Sequence, residues 1–551
     1  MSHIVTCSIS WENFIISDHE VKLREKFWFT DFPTVHPKYR LRHLGAFYPN
    51  WAFYKRKCDK SQKDIVSIFA PDCPYPVWDR DEWFRAANPP RADIDFSQPF
   101  FPQAQKLFYQ CPIPHIFQFQ CENCAYADDW YESRDCYLCH GGTWAEGLRY
   151  CARMNNVCKD SIYCTSCVSS QWCYDCTNCE NAYYCVHCLD VRSSRNCAMS
   201  FDCRNCQDCL FCFNLRGKKY CLGNVQLTKE QYESERAKWI LETRTWYQKA
   251  QTYFAKMMRE IAWLRSTYVE HSEDTTWNYV QHMKDCEMCF MELDHENCCH
   301  GFWSGWSVKH ICEGLGTYGC HGGYKVTMPI KCFEIRFSFM CFECRFSDYL
   351  AYCVGCENCF GCCWLHKQNY CIFNKPYSKQ EFQQLQNRLI DYMKSTGEWG
   401  QFFPWIFAPN VYEDSVSAAF WPLAPDIQNI CWFRASQKSQ TKLDSYISSD
   451  AIPESSFEAD EWVTKEIYWD QIASKPFTIL PQDINFCRTL SVPLPDTHYI
   501  RRIFHNLSWM PFNGELRKTF CAKSWKDIYT SWPSEYDGRI VSEEEYLKIV
   551  W

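Results

Sequence analysis

Forty-one of the 551 residues are cysteine, and no other residue type here offers as much chemistry. A thiolate is a metal ligand or a nucleophile, whereas a protonated thiol is a small apolar group with a weak hydrogen-bond donor. The spacing bears on the choice. From Cys158 to Cys221 every cysteine lies a multiple of three residues from the next; the same holds from Cys320 to Cys371, with Cys363 the one exception. A C-x-x-C pair supplies two ligands from one turn, and two such pairs complete a tetrahedral zinc site. Cys164/Cys167 with Cys176/Cys179, Cys185/Cys188, Cys203/Cys206 with Cys209/Cys212, Cys341/Cys344, and Cys353/Cys356 with Cys359/Cys362 have that spacing. Zinc is the cofactor these pairs would take, with a soft-metal store or an iron–sulfur site as a minor branch. Inside a three-residue grid, however, C-x-x-C stops being a specific zinc signature. Cysteine as a small filler of a narrow core carries more weight, and ladders of disulfides or redox-active thiols carry less.

Other catalytic patterns are weak. There is no P-loop, nucleophile elbow or kinase signature set. His295-Glu296-Asn297-Cys298-Cys299-His300 is one residue too long for H-E-x-x-H, so its histidines would not share a helix face. Cys139-His140-Gly141-Gly142 recurs as Cys320-His321-Gly322-Gly323, but adjacent side chains usually point apart and a turn accounts for the glycines. The expectation is a protein that is not an enzyme.

Nucleic acid is the better rival. Residues 22–63 hold eleven Lys/Arg against three Asp/Glu. Arg40, Arg42, Lys55, Arg56 and Lys57 interleave with Tyr39, Phe47, Trp51, Phe53 and Tyr54, and cations beside stacking rings are how single strands are held. A solvated basic face balancing an acidic remainder explains the same residues more simply, and the formal net charge of −8 gives no global pull toward phosphate.

The elements that would position these groups come in related copies. Residues 14–84 and 477–547 align without a gap at an offset of 463, so that C-x-K-S-x-K-D-I occurs at both Cys58–Ile65 and Cys521–Ile528. A second offset, 150, carries Cys203-x-x-Cys206-x-x-Cys209-x-x-Cys212 onto Cys353-x-x-Cys356-x-x-Cys359-x-x-Cys362, and Leu215, Tyr220, Cys221 and Asn224 onto Leu365, Tyr370, Cys371 and Asn374. Each copy then enters a helix through a capping box, Thr228 with Gln231 and Ser378 with Glu381.

A grid of three does not fit the helical period of 3.6. It suits short coils whose inward positions repeat in register, a β-solenoid, with about 12 residues per coil and 18 as the rival length. The expected class is multidomain and mainly β. An N-terminal ribbon-like module (1–100) precedes the first array (101–227) and a long helix (228–272). A second array (273–377), a second helix (378–397) and an aromatic and polar linker (398–465) follow, and a C-terminal ribbon-like module (466–551) closes the chain. The long helix should bury a seam of Trp239, Thr243, Trp246, Ala250, Tyr253, Met257, Ile261, Leu264 and Tyr268. The second should bury Phe382, Leu385, Leu389 and Tyr392. The linker should wrap the surface, with Ser436–Ser456 mobile. No basic leader and no long apolar run is present, so a cytoplasmic location and reduced thiols are expected.

The chain resembles the uncharacterised cysteine-repeat proteins of candidate phyla radiation bacteria, which have zinc-ribbon-like modules at both ends. The resemblance rests on Leu41-Arg42-His43, Lys55-Arg56-Lys57-Cys58-Asp59-Lys60, Ala70-Pro71-Asp72, Asp95-Phe96-Ser97-Gln98-Pro99-Phe100-Phe101, the arrays, Asn374-Lys375 and Lys475-Pro476-Phe477-Thr478-Ile479. It implies paired cysteines at three points of each ribbon. This chain has His36/Tyr39, Cys58/Ser61 and Asp79/Glu82 in the first, and Tyr499/Arg502, Cys521/Ser524 and Ser542/Glu545 in the last. A metal-free ribbon held by aromatic packing is expected at each end, with a mixed site of His36, Cys58 and Asp79 as the alternative. The resemblance implies no established activity. The functional expectation is a structural or interaction scaffold with a protein partner, ahead of nucleic-acid binding and of a thiol redox or metal-storage role.

Overall fold

The backbone of the arrays turns left-handed at every third residue. In the computed structural model, which describes residues 3–27, 32–49, 52–86, 88–154, 159–163, 174, 183–302, 305–309, 313–316, 319, 322–329, 332, 334, 336–421, 445–510 and 516–551, φ is positive at Asp202, Asn205, Asp208 and Phe211. Each is the residue before a cysteine. Tyr352, Gly355, Asn358 and Gly361 repeat the pattern before Cys353, Cys356, Cys359 and Cys362. Asn, Asp and Gly tolerate this conformation at little cost, which accounts for their recurrence at these corners. Three residues per corner, with the following side chain turned inward, is the physical origin of the cysteine grid.

Four such corners bring the chain back beside itself. Strands Arg195–Phe201, Gln207–Leu210 and Lys219–Leu222 pair in parallel, so that Cys197 lies beside Cys209 and Cys209 beside Cys221. Cys341 lies beside Cys353, and single bridges join Asp348 to Phe360 and Phe360 to Ile372. The register step is 12 residues at these places, 13 between Arg149 and Ile162, and 11 between Val269 and Val280. No described pair steps by 18. Rings stack along the same ladders: Tyr150 lies 5.0 Å from Tyr163, Tyr268 lies 4.8 Å from Tyr279, and Phe290 lies 5.9 Å from Phe302.

The described residues form many small sheets and helices and no closed barrel. They fall into two compact units. The first comprises 1–115, 267–437 and 512–516; the second comprises 116–266, 438–511 and 517–551. The N-terminal segment therefore shares a unit with the later array, although the earlier array follows it directly in sequence. Each unit has a thiol-rich core. Cys185, Cys188, Cys197, Cys203, Cys206, Cys209, Cys212 and Cys221 cluster in the second, and Cys341, Cys344, Cys353, Cys356, Cys359, Cys362 and Cys371 in the first.

The expectations about the two helices are corrected. Residues 228–272 are not one helix but two, Lys229–Arg236 and Arg244–Glu260, followed by strands Leu264–Arg265 and Val269–Glu270. The break is held by Arg236, which donates 2.9 Å to the Trp239 carbonyl, and by Trp239 packing 4.5 Å from Phe211. The second of these helices buries Tyr247, Ala250, Phe254, Met257 and Met258, a stripe rotated from the expected seam, which leaves Tyr253 37% exposed. The helix Lys379–Ser395 has the expected bounds, but Met393 joins Phe382 and Leu389 on its buried face while Leu385 and Tyr392 are only half-buried. Within the linker, Phe402, Phe403 and Phe407 are buried. Of the stretch expected to be mobile, 436–444 lies outside the described residues. Ile447–Ser448 is a strand, and Arg244 donates to the carbonyls of Ser449 (3.2 Å) and Ile452 (2.6 Å).

Candidate functional site

The array sulfurs hydrogen-bond the backbone. Cys203 Sγ donates to the carbonyl two residues earlier, Phe201 (3.5 Å), and to the one nine residues later, Cys212 (3.5 Å). Cys188, Cys206, Cys212, Cys344, Cys353, Cys356, Cys359 and Cys362 do the same, and Cys185 and Cys209 do so with a longer second contact. Cys341 reaches the Leu350 carbonyl at 3.4 Å.

Serines occupy the same grid and show what the position requires. Ser200 and Ser347 donate to the carbonyl two residues back, and Ser194, Ser200 and Ser347 accept from the amide 12 residues on. An inward position therefore needs a small side chain that satisfies backbone groups at the corners of the coil, and thiol and hydroxyl both qualify. Burial raises the Cys139, Cys289 and Cys353 thiols well above the usual range, which keeps their protons in place for donation, whereas hydrogen bonds from neighbouring thiols lower Cys209 and Cys356. All described cysteines are free thiols. Cys164, Cys167, Cys176 and Cys179 lie outside the described residues.

Four hairpin turns carry a second pattern. Cys7, Cys58 and Cys521 each donate their amide to a carbonyl five residues on (2.8, 2.8 and 2.9 Å) and accept at their carbonyl from the amide four residues on (2.9 Å in each). That fourth residue has positive φ: Trp11, Gln62 and Trp525. Each sulfur accepts two backbone N–H groups, from Ile9 and His36 at Cys7, Ser61 and Asp79 at Cys58, and Ser524 and Ser542 at Cys521, all between 3.2 and 3.5 Å. The fourth turn has a carboxylate in the place of sulfur. Asp470, 463 residues after Cys7, accepts from the amides of Ile472 and Ala473 at 3.0 Å and of His498 at 2.8 Å.

Opposite each turn a helix begins, and the facing residue caps it. His36 Nδ1 accepts from the Lys38 amide, Asp79 from Asp81 and Glu82, His498 Nδ1 from Ile500, and Ser542 from Glu545. A knuckle turn facing a helix start is a geometry from which two ligand pairs can surround a tetrahedral ion. Here each turn has one acceptor, and His36, Asp79, His498 and Ser542 opposite are engaged in capping. Among the described residues no group of three or more His, Cys, Asp or Glu is placed to hold a metal. Zinc does not fit these four sites. The mixed site of His36, Cys58 and Asp79 is corrected: His36 belongs to the Cys7 turn, while Cys58 accepts from the Asp79 amide and donates to Glu82 Oε2 at 3.7 Å. Sequence reasoning missed Cys7 and Asp470. The 51-residue spacing that separates Cys7 from Cys58 and Asp470 from Cys521 would have found both.

At the Cys521 turn, burial alone would raise the thiol, but the Ser524 hydroxyl and the amides of Ser524, Ser542 and Lys523 outweigh it and hold the group at about 7.

The five proposed phosphate contacts do not share one face. Arg40 is buried, 2.9 Å from Glu20 Oε1 and 2.5 Å from Glu313 Oε1. Its Nη1 meets both carboxylates and its Nη2 lies 3.1 Å from His300 Nε2, which corrects the expectation that it meets phosphate. Arg42 is half-buried with its guanidinium over the Tyr39 ring. Arg56 donates to the Ala70 carbonyl and Asp59. Lys55 and Lys57 are exposed on one strand, Lys57 pairing with Asp64.

The catalytic near-misses are buried pairs. His140 Nδ1 lies 3.2 Å from Asp128, and His295 Nε2 lies 2.9 Å from Glu292. Cys320 and His321 lie outside the described residues. No described helix is long and apolar enough to cross a membrane. No known family model matches this chain, and no curated protein is similar to it.

Proposed function

We propose that this chain is a structural or interaction scaffold. On this reading it consists of two β-solenoid arrays of about 12 residues per coil, each leading into helix, flanked by related α+β modules that descend from zinc ribbons and have lost their metal. Internal duplication produced both pairs, and the kinship is with cysteine-repeat proteins of candidate phyla radiation bacteria. One observation supports it best: the ladder thiols give their protons to backbone carbonyls, the protons that a metal-binding or nucleophilic role would remove. A protein partner and a reducing, cytoplasmic setting suit such a core. The test is elemental analysis with a thiol titration in denaturant on protein purified without air. The expected result is close to 41 thiols and no stoichiometric metal. Several zinc ions per chain, with thiols blocked to match, would overturn the metal-free scaffold.

One surface favours a second reading, single-stranded nucleic-acid binding. Strands Arg517–Phe520 and Asp527–Thr530 pair Lys518 with Tyr529 and Phe520 with Asp527, which puts these four on one face. Phe520 and Tyr529 are each 57% exposed, and Trp525 at the turn is 77% exposed, beside Lys523 and Lys526. The aligned positions of the N-terminal hairpin hold Lys57, Val66 and Gln62, so the aromatic face belongs to this copy alone. Rings with flanking cations are a stacking platform. Fluorescence anisotropy with a labelled single-stranded RNA tests it. Salt-sensitive binding lost in the F520A/Y529A double variant supports it, and no binding at low salt refutes it.

A further inference from the structure

The second unit contains a cavity of ≈ 500 Å³ between the helix starting at Arg244, the loop Pro493–Thr497 and the helix Tyr499–Ser508. This size lies within the range of small-molecule sites. Its charged walls are mostly accounted for. Asp470 accepts from Arg501 (3.0 Å), Asp496 from Gln248 (3.2 Å) and Asp450 from the Ser448 hydroxyl (2.9 Å). Arg244 is engaged with the Ser449 and Ile452 carbonyls.

Arg502 is the exception. Its Nε and Nη1 are closed off from solvent and make no hydrogen bond, which leaves Nη2 as the nitrogen that a ligand in the cavity can meet. Its guanidinium lies over the rings of Tyr163 (3.7 Å) and Tyr150 (5.6 Å), and it forms no ion pair among the described residues. By contrast, Arg40, the buried arginine of the first unit, meets two carboxylates. Asp483 is near enough for its carboxyl to feel the Arg502 charge but forms no ion pair with it. A sequestered guanidinium without an ion pair is costly, and the planar fork is the protein group best matched to an oxyanion. The other walls include Tyr174, Tyr247 and Pro493-Leu494-Pro495, which offer rings and apolar surface.

We propose that this cavity binds a small organic anion, its phosphate or carboxylate set against Arg502 and its ring or hydrocarbon part against Tyr174, Tyr247 and the proline-flanked loop. The site goes beyond the scaffold reading and does not rest on it.

Calorimetric titration of the full chain with phenyl phosphate, inorganic phosphate and phenol tests the proposal. Phenyl phosphate is expected to bind with unit stoichiometry and at least about 10-fold more tightly than either fragment, because it engages both parts of the site. The R502M variant should lose that advantage while melting no lower than the parent, and R502K should keep part of it. S449W narrows the cavity without touching Arg502 and should also abolish binding. No heat from millimolar phenyl phosphate, or binding unchanged in R502M, overturns the proposal. If R502M fails to fold, unchanged affinity in S449W does the same.

Discussion

Glu20 Oε2 lies 2.8 Å from His300 Nε2 in the first unit, and Asp483 Oδ2 accepts from the Tyr150 hydroxyl at the same 2.8 Å in the second. Asp483 follows Glu20 by 463 residues, and His300 follows Tyr150 by 150. The two sequence offsets thus meet at a single contact in each unit. Glu313 and Tyr163, also 150 apart, extend the correspondence: Arg40 bonds the former and Arg502 stacks on the latter. The geometry is shared while the chemistry differs, a charged cluster in one unit and an aromatic one in the other.

The charged cluster should govern acid sensitivity. Burial would raise the Glu20 carboxyl, but Arg40 and His300 hold it well below the usual carboxylate range. The unfolded value is about 4.3, so the folded state binds fewer protons as acid is added. The stabilisation is therefore complete above about pH 5 and is lost as pH falls from there. Chemical denaturation between pH 3 and 7 should show a steep acid loss in the parent and a shallower one in E20Q. R40M, which strands two buried carboxylates, should cost about 3–5 kcal/mol at pH 7.

Ladder positions should accept hydroxyl and refuse bulk. Cys353 is fully buried and donates to the Ala351 and Cys362 carbonyls. C353S keeps a small donor, as Ser200 and Ser347 do naturally, and should cost about 1 kcal/mol or less. C353L overfills the coil and should cost about 1–3 kcal/mol. Urea midpoints measure both, and an equal loss in the two would contradict the account of the grid.

The Cys521 turn should still accept metal once its ligands are supplied. The triple variant S524C/S542C/E545C puts thiols at Ser524 and Ser542, whose amides meet Cys521, and at Glu545, whose amide bonds the Ser542 hydroxyl. It should bind one zinc per chain tightly enough to raise the melting temperature, whereas the parent binds none there. Elemental analysis and melting with and without a chelator decide this.

Cys521 itself should leave a pH signature. Its folded thiol titrates at about 7, below the value near 8.5 of an unfolded cysteine. The unfolded chain binds the extra proton between these values, so the parent should gain stability relative to C521S as pH rises from 7 to 9. Thiolate absorbance in the ultraviolet should show a matching component near pH 7 that C521S lacks.

Legibility from sequence differed between elements. The capping boxes at Thr228 and Ser378 and the bounds of the helix Lys379–Ser395 were readable because they depend on side chains within one turn of each other. The 12-residue step was readable because small inward residues recur with the coil. The break between Arg236 and Arg244 was not, since no proline or glycine marks it and the cause is Trp239 packing onto Phe211 from another coil. The four hairpin turns were half legible. Cys58 and Cys521 share a motif, but Asp470 substitutes a carboxylate for sulfur, and only the N–H groups converging on it reveal the equivalence.

The sequence alone determined the periodicities: three residues per corner, offsets of 150 and 463, and a cysteine at most inward positions. These follow from local sterics and side-chain size, which each short segment carries by itself. Only the tertiary structure decided the use of each group. It put Arg40 inside a carboxylate cluster, left Arg502 without an ion pair among the described residues and joined the N-terminal segment to the later array. The reason is that burial and electrostatics depend on which distant surface closes over a residue, and the immediate sequence does not encode that.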